Sequence, residues 1–444
     1  MLTREEKIKR ICEIMTDNWG KDRPGLIGIE MEHFIIDKKS GERIFYSGER
    51  GVAKLLEKLA SRDDLEKIEI NGHIAGAKDE DMAISIEPGA QFEISLTMAE
   101  KISQLEERYK KAMAKIRPTL EEMGLAMVSL GADPVNKVED IELIPKSRYA
   151  MMNDYMGRHG ERSRNMMRQT CALQVSIDMF SEADFVKKYR ALTAMVPMLY
   201  TLFDSVTWLG GKKLEKHNAR QEIWRRTDPK RTGIIPGVFD DDFSISKYAE
   251  WLLDQIIIFK VDEEGQEIST GDDTTLSMAM DAAQDDQEIT RLIDHAIGIV
   301  FPDIRVKNFL EIRPMDALPI EYSLGASAMI KGLFYDERVL DKLSEALKDA
   351  SQERVLRGLD SGRDNGIQGY YMSDYFCNWG LRLLDLAQEG LDAQEGTVAQ
   401  EGSDAGYLKA LRGLWENLES PADYFNRIYR EKGRDAFLEL IRDK

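Results

Sequence analysis

Gly28-Ile29-Glu30-Met31-Glu32-His33-Phe34-Ile35-Ile36 is the stretch from which the fold can be read. Successive side chains of an extended chain point to opposite faces, so Glu30 and Glu32 share a face with Phe34, while Ile29, Met31 and Ile35 share the other. One face is core and the other carries acid. Ser85-Ile86-Glu87-Pro88-Gly89-Ala90-Gln91-Phe92-Glu93-Ile94-Ser95 repeats the arrangement. Gln91, Glu93 and Ser95 alternate with Phe92 and Ile94, and Glu87 stands just before a Pro-Gly turn that bends the strand. If the two acidic faces converge, their like charges either raise each other's pKa values or hold divalent cations. Carboxylate oxygens without thiolates or paired histidines suit Mg²⁺ or Mn²⁺ better than zinc or copper. One such segment alone also reads as an ordinary antiparallel strand with a solvated polar face. Two in tandem favour a site.

The chain of 444 residues is long enough for one large domain or two ordinary ones, and its hydrophobic fraction of 43% is that of a soluble globular protein. With 80 acidic against 61 basic residues the net charge is −19, which argues against a partner bound through its phosphate backbone. DNA and RNA are therefore excluded as partners. The charged N-terminal stretch reads as a helix rather than a signal peptide, and no apolar run approaches membrane-spanning length. Cys12, Cys171 and Cys377 lie far apart and form no metal-ligand spacing, as in a reducing compartment. The expectation is a cytoplasmic protein, monomer or homodimer, with small-molecule substrates.

Apolar spacing predicts helices over 3–18, 51–61, 98–124 and 182–207, the last capped by Ser181 with Glu182 and Asp184 in its first turn. Thr170 to Asp178 predicts a further strand, with Gln174, Ser176 and Asp178 alternating against Leu173, Val175 and Ile177. Arg305 to Arg313 predicts a fourth, with Glu311 and Arg313 on one face. Runs of strands interrupted by long helices indicate an α+β domain with an antiparallel sheet. Beyond 325 the chain reads as helical, at 326–349, 373–387 and 405–441. The division expected is a catalytic domain over 1–325 and a helical C-terminal region over 326–444. Ala-Gln-Glu-Gly stands at 387–390 and recurs at 393–396 and 399–402, a six-residue repeat, so that 387–404 reads as a glycine-punctuated mobile linker.

In a chain this acidic, His217 to Gly233 stands out for Arg220, Arg225, Arg226 and Arg231 flanked by Pro229 and Gly233. Such a cluster marks a loop that meets anions, although a surface loop of solvated ion pairs has the same composition. Carboxylates that hold metal and arginines that hold anions are the two halves of a site for metal–nucleotide chemistry. Neither GxxxxGK[ST] nor a strand-bound GxGxxG is present, so phosphates would be held by metal and arginine instead.

These segments, with Arg148-Tyr149, Met151-Met152, Tyr155-Met156, Met166 through Asp178 and Leu310-Glu311-Ile312-Arg313, resemble in order the motifs of plant-type and proteobacterial glutamate–cysteine ligases. The resemblance runs from about residue 20 to 320. It implies a glutamine-synthetase-like fold, a curved antiparallel sheet with helices packed on its outer face, followed by a helical C-terminal region. It also implies a reaction: ATP phosphorylates the γ-carboxylate of L-glutamate, and the amine of L-cysteine attacks the acyl phosphate. By motif position Glu30, Glu32, Glu87, Glu93 and Glu311 are implied Mg²⁺ ligands, with Gln174 completing that shell. Arg313 is implied to stabilise the transferring phosphoryl group. Arg148 and Arg220 are implied to anchor the glutamate α-carboxylate, and Arg231 to contact phosphate or product.

Plant members of that family are redox-controlled by disulfides, a pairing that three separated cysteines do not reproduce. His33, His73, His159 and His295 read as structural hydrogen-bonding residues. Met151, Met152, Met166 and Met167 read as core or pocket wall. Three other functions fit parts of the pattern: a same-fold ligase using a different amine, a phosphotransferase acting on nitrogen, and a silent binding protein. The intact set of acidic strand positions speaks against the last.

Overall fold

The alternation of Ile29, Met31 and Ile35 with Glu30 and Glu32 becomes strand β1 (Ile27–Asp37), whose apolar positions are sealed in the core of the computed structural model. The structure describes residues 2–21, 23–62, 64–70, 72–262, 266–395 and 403–443. Among them, β1 is joined by β2 (Glu66–Ile70), β3 (His73–Lys78), β4 (Met82–Ile86), β5 (Phe92–Ala99), β6 (Leu125–Val128), β7 (Leu173–Ile177), β8 (Ile304–Val306) and β9 (Leu310–Ile312). Their order is β8-β9-β7-β1-β5-β4-β3-β2, with β6 paired to the far end of β1, and every pairing is antiparallel. This is the expected α+β arrangement built on an antiparallel sheet.

Two segments expected to be single strands are hairpins. Glu87 to Ala90 is the turn between β4 and β5: Glu87 N–H donates to Gln91 O at 3.0 Å, Ala90 N–H donates to Glu87 O at 2.9 Å, and Ala90 sits at φ 63°. Lys307 to Phe309 likewise turns β8 into β9, with Arg305 opposite Glu311. Both turns deliver acidic or basic side chains to the same face of the sheet.

Helices cover the other face. Helix α1 (Arg4–Met15) begins with a capping box in which Thr3 and Glu6 satisfy each other's backbone N–H groups. Helices α2 (Val52–Ala60) and α3 (Ile102–Glu122) lay apolar stripes on the sheet; in α3 the stripe is Ile102, Leu105, Tyr109, Ala112, Met113, Ile116 and Leu120. Next along the chain come α4 (Ser147–His159), α5 (Ser163–Gln169), α6 (Glu182–Leu202), α7 (Ala219–Arg225), α8 (Ile245–Leu253), α9 (Leu276–Ala282) and α10 (Asp286–Gly298). The anion-binding "loop" at 217–233 thus contains a short helix.

The C-terminal region is helical, as expected, but is divided differently. Its helices are α11 (Ile320–Phe334), α12 (Glu337–Ala346), α13 (Gln352–Asn365), α14 (Phe376–Glu395), α15 (Lys409–Glu416) and α16 (Pro421–Ile441). Gly433, at φ 83°, breaks α16. Helix α11 is buried nearly all round, between the sheet and α14. Residues 387–395 of the expected linker belong to α14, with Ala387 and Leu391 fully buried; 396–402 lie outside the described residues. No described helix is long and apolar enough to cross a membrane.

Candidate active site

Strand register decides which charges meet. Glu32 on β1 stands directly opposite Glu93 on β5, Glu30 opposite Gln174 on β7, and Ser85 on β4 opposite Glu93. Three neighbouring strands, β7, β1 and β5, therefore point Glu30, Glu32, Glu93 and Gln174 into one cavity of about 470 Å³, and the β4–β5 turn adds Glu87. The opposite walls come from α4 (Arg148, Tyr149, Met152), from α5 and its end (Met166, Met167, Thr170), from α7 (Arg220, Trp224), and from the β8–β9 hairpin with Arg313 (Arg305, Lys307). Acid lies on the floor and cations face it.

The carboxylates are crowded. Burial first, then Glu311 and Glu93, pushes Glu30 up to about 7. Glu93 is likewise pushed up to about 7 by burial and by Glu87, although Ser85 Oγ donates to it at 2.8 Å. Burial, Glu87 and Glu93 hold Glu32 well above the usual carboxylate range, and burial raises Glu87. Glu32 does accept one bond, from Ala172 N–H at 2.8 Å. Such a floor is relieved either by protons or by cations.

A polar relay crosses the sheet from this floor to the cationic wall. Gln174 Nε2 donates to Glu30 at 3.2 Å, while Arg313 donates to Gln174 Oε1. Arg313 also donates to Glu311 at 2.9 Å, and Arg305 grips the same carboxylate with two bonds of 2.7 and 3.0 Å. Lys307 adds an ion pair at 2.8 Å. Burial works to raise Glu311, but Arg305, Arg313 and Lys307 overcome it and hold the group well below the ordinary range. Arg220 donates to the backbone carbonyl of Arg313 at 3.1 Å, and Arg220 and Arg313 both stand over the Trp224 ring, at 5.4 and 5.5 Å. The buried indole N–H of Trp224 has no partner among the described residues.

The structure thus brings Glu30, Glu32, Glu87, Glu93, Gln174, Arg148, Arg220 and Arg313 together around one cavity. Two expected residues stand elsewhere. Glu311 is fully buried behind the wall, its oxygens taken by three cations. Arg231 is also buried, paired with Asp228 at 2.7 Å, donating to Ile299 O at 3.1 Å and stacked over Tyr155. Arg305, Lys307 and Trp224 were missed, although Arg305 and Lys307 alternate in the very segment read for Glu311 and Arg313. Three of the four methionines singled out, Met152, Met166 and Met167, line the cavity, whereas Met151 packs on the core.

The bland reading of the histidines holds for His33, whose Nδ1 lies 3.2 Å from Phe92 O and whose Nε2 lies 3.4 Å from Asp443, on the helix side of β1. His159 stacks on Tyr155. His295 differs: it lines the cavity, and burial pushes it down to about 4, so it stands there neutral. The side chain of His73 lies outside the described residues.

Gln91 fixes the turn that carries Glu87. Its Nε2 donates to Thr170 O at 2.8 Å and its Oε1 accepts from Gly89 N–H at 2.8 Å. A Cβ at Gly89 would stand 2.4 Å from Arg168 O, so glycine is required for that approach.

The sequence model of glutamate–cysteine ligase family 2 matches residues 26–361. Among curated relatives, the chloroplastic glutamate–cysteine ligase B of Oryza sativa is 29% identical over 421 residues, covering 94% of this chain and 83% of the rice protein. The chloroplastic ligase of Arabidopsis thaliana is 29% identical over 413 residues, covering 91% and 76%. A glutamate–cysteine ligase of Francisella tularensis, solved in complex with AMP, shares the fold at a TM-score of 0.54 and 12% identity, over 95% of this chain and 88% of that one. The cytoplasmic expectation does not stand against these relatives, which are chloroplastic proteins. A low cysteine count does not distinguish one compartment from another.

Proposed function

The chain belongs to glutamate–cysteine ligase family 2, and on that premise we propose that it joins the γ-carboxylate of L-glutamate to the amine of L-cysteine at the expense of ATP, giving γ-glutamylcysteine, ADP and phosphate. The observation that carries this reading is the convergence of four glutamates and five cationic side chains, Arg148, Arg220, Arg305, Lys307 and Arg313, on one cavity. Phosphorylating a carboxylate brings two anions into contact, and cations fixed in advance make that encounter tolerable.

Glu30, Glu32, Glu87 and Glu93 would hold Mg²⁺. The fit rests on their chemistry: oxygen donors only, half-buried on the cavity floor, and raised in pKa by desolvation and by one another. Among the described residues no three acidic, histidine or cysteine side chains form a ready-made metal cage. That suits Mg²⁺, which takes one or two carboxylates and completes its shell with water and substrate phosphates. When bound it supplies positive charge between carboxylate floor and polyphosphate.

The protein's own groups do the rest. Arg313, kept in place by Glu311 and Gln174, faces the phosphoryl group as a glutamate γ-oxygen forms the new O–P bond and ADP leaves with the electrons of the old one. Lys307 and Arg305 add charge beside it. Glu311, being consumed by those three cations, positions them rather than ligating metal. Arg148 and Arg220 are placed to take the glutamate α-carboxylate, for which a guanidinium fork is suited. The wall of Tyr149, Met152, Met166, Met167 and Trp224 offers the amine substrate soft, apolar surface, suited to a thiol side chain.

Purified protein given ATP, Mg²⁺, glutamate and a panel of amines tests the reading. Phosphate release that requires both glutamate and cysteine, with the dipeptide identified by mass, is the expected result. Release dependent on another amine and indifferent to cysteine would overturn the substrate assignment, and release without glutamate would overturn the reaction.

A further inference from the structure

Tyr149 has a function that its burial alone does not explain. It lies in the first turn of α4, lines the cavity and is 8% exposed. Its ring is flanked by two cations, with Lys146 Nζ at 5.3 Å and the Arg148 guanidinium at 5.7 Å from the ring centre. Burial first, and then the charges of Glu87, Glu93 and Glu32, hold its hydroxyl well above the ordinary phenol range. Those three carboxylates sit on the β4–β5 turn, on β5 and on β1, and they line the same cavity as Tyr149, which belongs to the opposite wall.

Buried tyrosine hydroxyls usually find a hydrogen-bond partner. Among the buried tyrosines of this protein Tyr189, Tyr200, Tyr248, Tyr335 and Tyr371 do. Tyr149 hydrogen-bonds to nothing among the described residues, and its oxygen is not among the sealed-off, unsatisfied atoms. It is an O–H donor on the cavity wall, with two cations near its ring, and it is left to serve a bound molecule. A phenol that remains protonated beside carboxylates can donate where an arginine would be drawn into an ion pair.

We propose that Tyr149 is a catalytic residue whose hydroxyl donates to the γ-carbonyl oxygen of the activated glutamate as the amine adds. This rests on the ligase reading above. The amine lone pair forms the C–N bond and the carbonyl π electrons move onto that oxygen. When they return, the C–O bond to phosphate breaks, phosphate leaves with its electron pair, and the nitrogen loses its proton to water. The Tyr149 hydroxyl stabilises the oxygen while it is charged and returns to a neutral acceptor afterwards.

Tyr149→Phe keeps the ring and its cation contacts and removes a hydroxyl on which no described protein group depends, so the fold should be retained, checked by circular dichroism and melting temperature. The expected result is a fall in kcat of about 100-fold, the usual cost of losing one such donor, with KM for ATP and glutamate within about twofold. An unchanged kcat would overturn the proposal. So would a loss expressed only in the KM for glutamate, because the hydroxyl would then bind the ground state alone. Wild-type protein assayed alongside separates the two claims: no dipeptide from wild type counts against the ligase reading, whereas normal dipeptide formation by both proteins counts against Tyr149 only.

Discussion

Gln174 stands uncharged between Glu30 and Arg313, and the geometry accounts for that neutrality. Its amide has one end for each neighbour, Nε2 toward the carboxylate and Oε1 toward the guanidinium. A carboxylate there would attract Arg313 but repel Glu30, which burial and its neighbours already push up to about 7. Gln174→Glu should therefore lower kcat/KM for glutamate by about 10- to 100-fold, the equivalent of one charge-assisted bond, with little change in melting temperature. Kinetics like those of wild type would show that the relay does not orient Arg313. For Glu30→Gln or Glu93→Gln the signs of activity and stability should be opposite. Each removes a charge from the floor, so turnover should vanish. Each also relieves repulsion, so metal-free protein should be more stable to unfolding, by about 1 kcal/mol, and melt at a higher temperature. Normal activity in both variants would refute the metal role, and loss of stability would refute the crowding. Two other residues show what local reading can and cannot reach. Arg220 and Trp224 lie four apart on α7 and share its cavity-facing side, a spacing available once a helix is suspected. Arg231 belongs to the same basic cluster, yet Asp228 three residues earlier captures it.

At the scale of elements, glycine spacing misled where packing, not chain flexibility, required it. Gly390 lies in α14 where that helix crosses α11, and a Cβ on it would stand 1.9 Å from Gly332 O; one on Gly332 would stand 2.2 Å from Ala387 O. The Ala-Gln-Glu-Gly at 387 is therefore a close helix crossing read as a linker. Gly390→Leu should force α14 off α11 and cost about 1–3 kcal/mol, seen as a lower denaturant midpoint. A midpoint equal to wild type would mean the crossing is not tight. Acidic alternation on β1 was legible because a period of two is unambiguous when Glu30 and Glu32 interrupt Ile and Met. The β8–β9 hairpin was not, because Lys307-Asn308-Phe309 contains neither Gly nor Pro and only Asn308 hints at a turn. The β4–β5 turn did carry Pro88 and Gly89, but the left-handed Ala90 that completes it has no signature. Register, which sets Glu32 opposite Glu93, is a tertiary fact that no single segment contains.

For the molecule as a whole, the most telling titration lies outside the cavity, where the sheet meets α6 and α7. Asp204 and Asp316 are both buried there, and each is pushed up to about 7, by burial first and, for Asp316, by the charge of Asp204. In the unfolded chain such groups ionise near about 4. Between those values the folded protein keeps protons that the unfolded chain has released, so stability falls as pH rises from about 4 to about 7 and levels off above. The two oxygens of Asp316 are unequal, which allows a clean test. One accepts from Ser205 N–H at 2.8 Å and Ser205 Oγ at 3.2 Å, whereas the other has no partner among the described residues. Asp316→Asn can keep both bonds on its oxygen and place its NH₂ where the lone oxygen stood, without the charge. Denaturant unfolding at pH 4 and pH 8 should then show a variant close to wild type at pH 4 and more stable at pH 8, by about 1–3 kcal/mol. The same pH slope in both proteins would mean that this pair does not govern the loss between about pH 4 and pH 7, and the crowded carboxylates of the cavity floor would have to account for it.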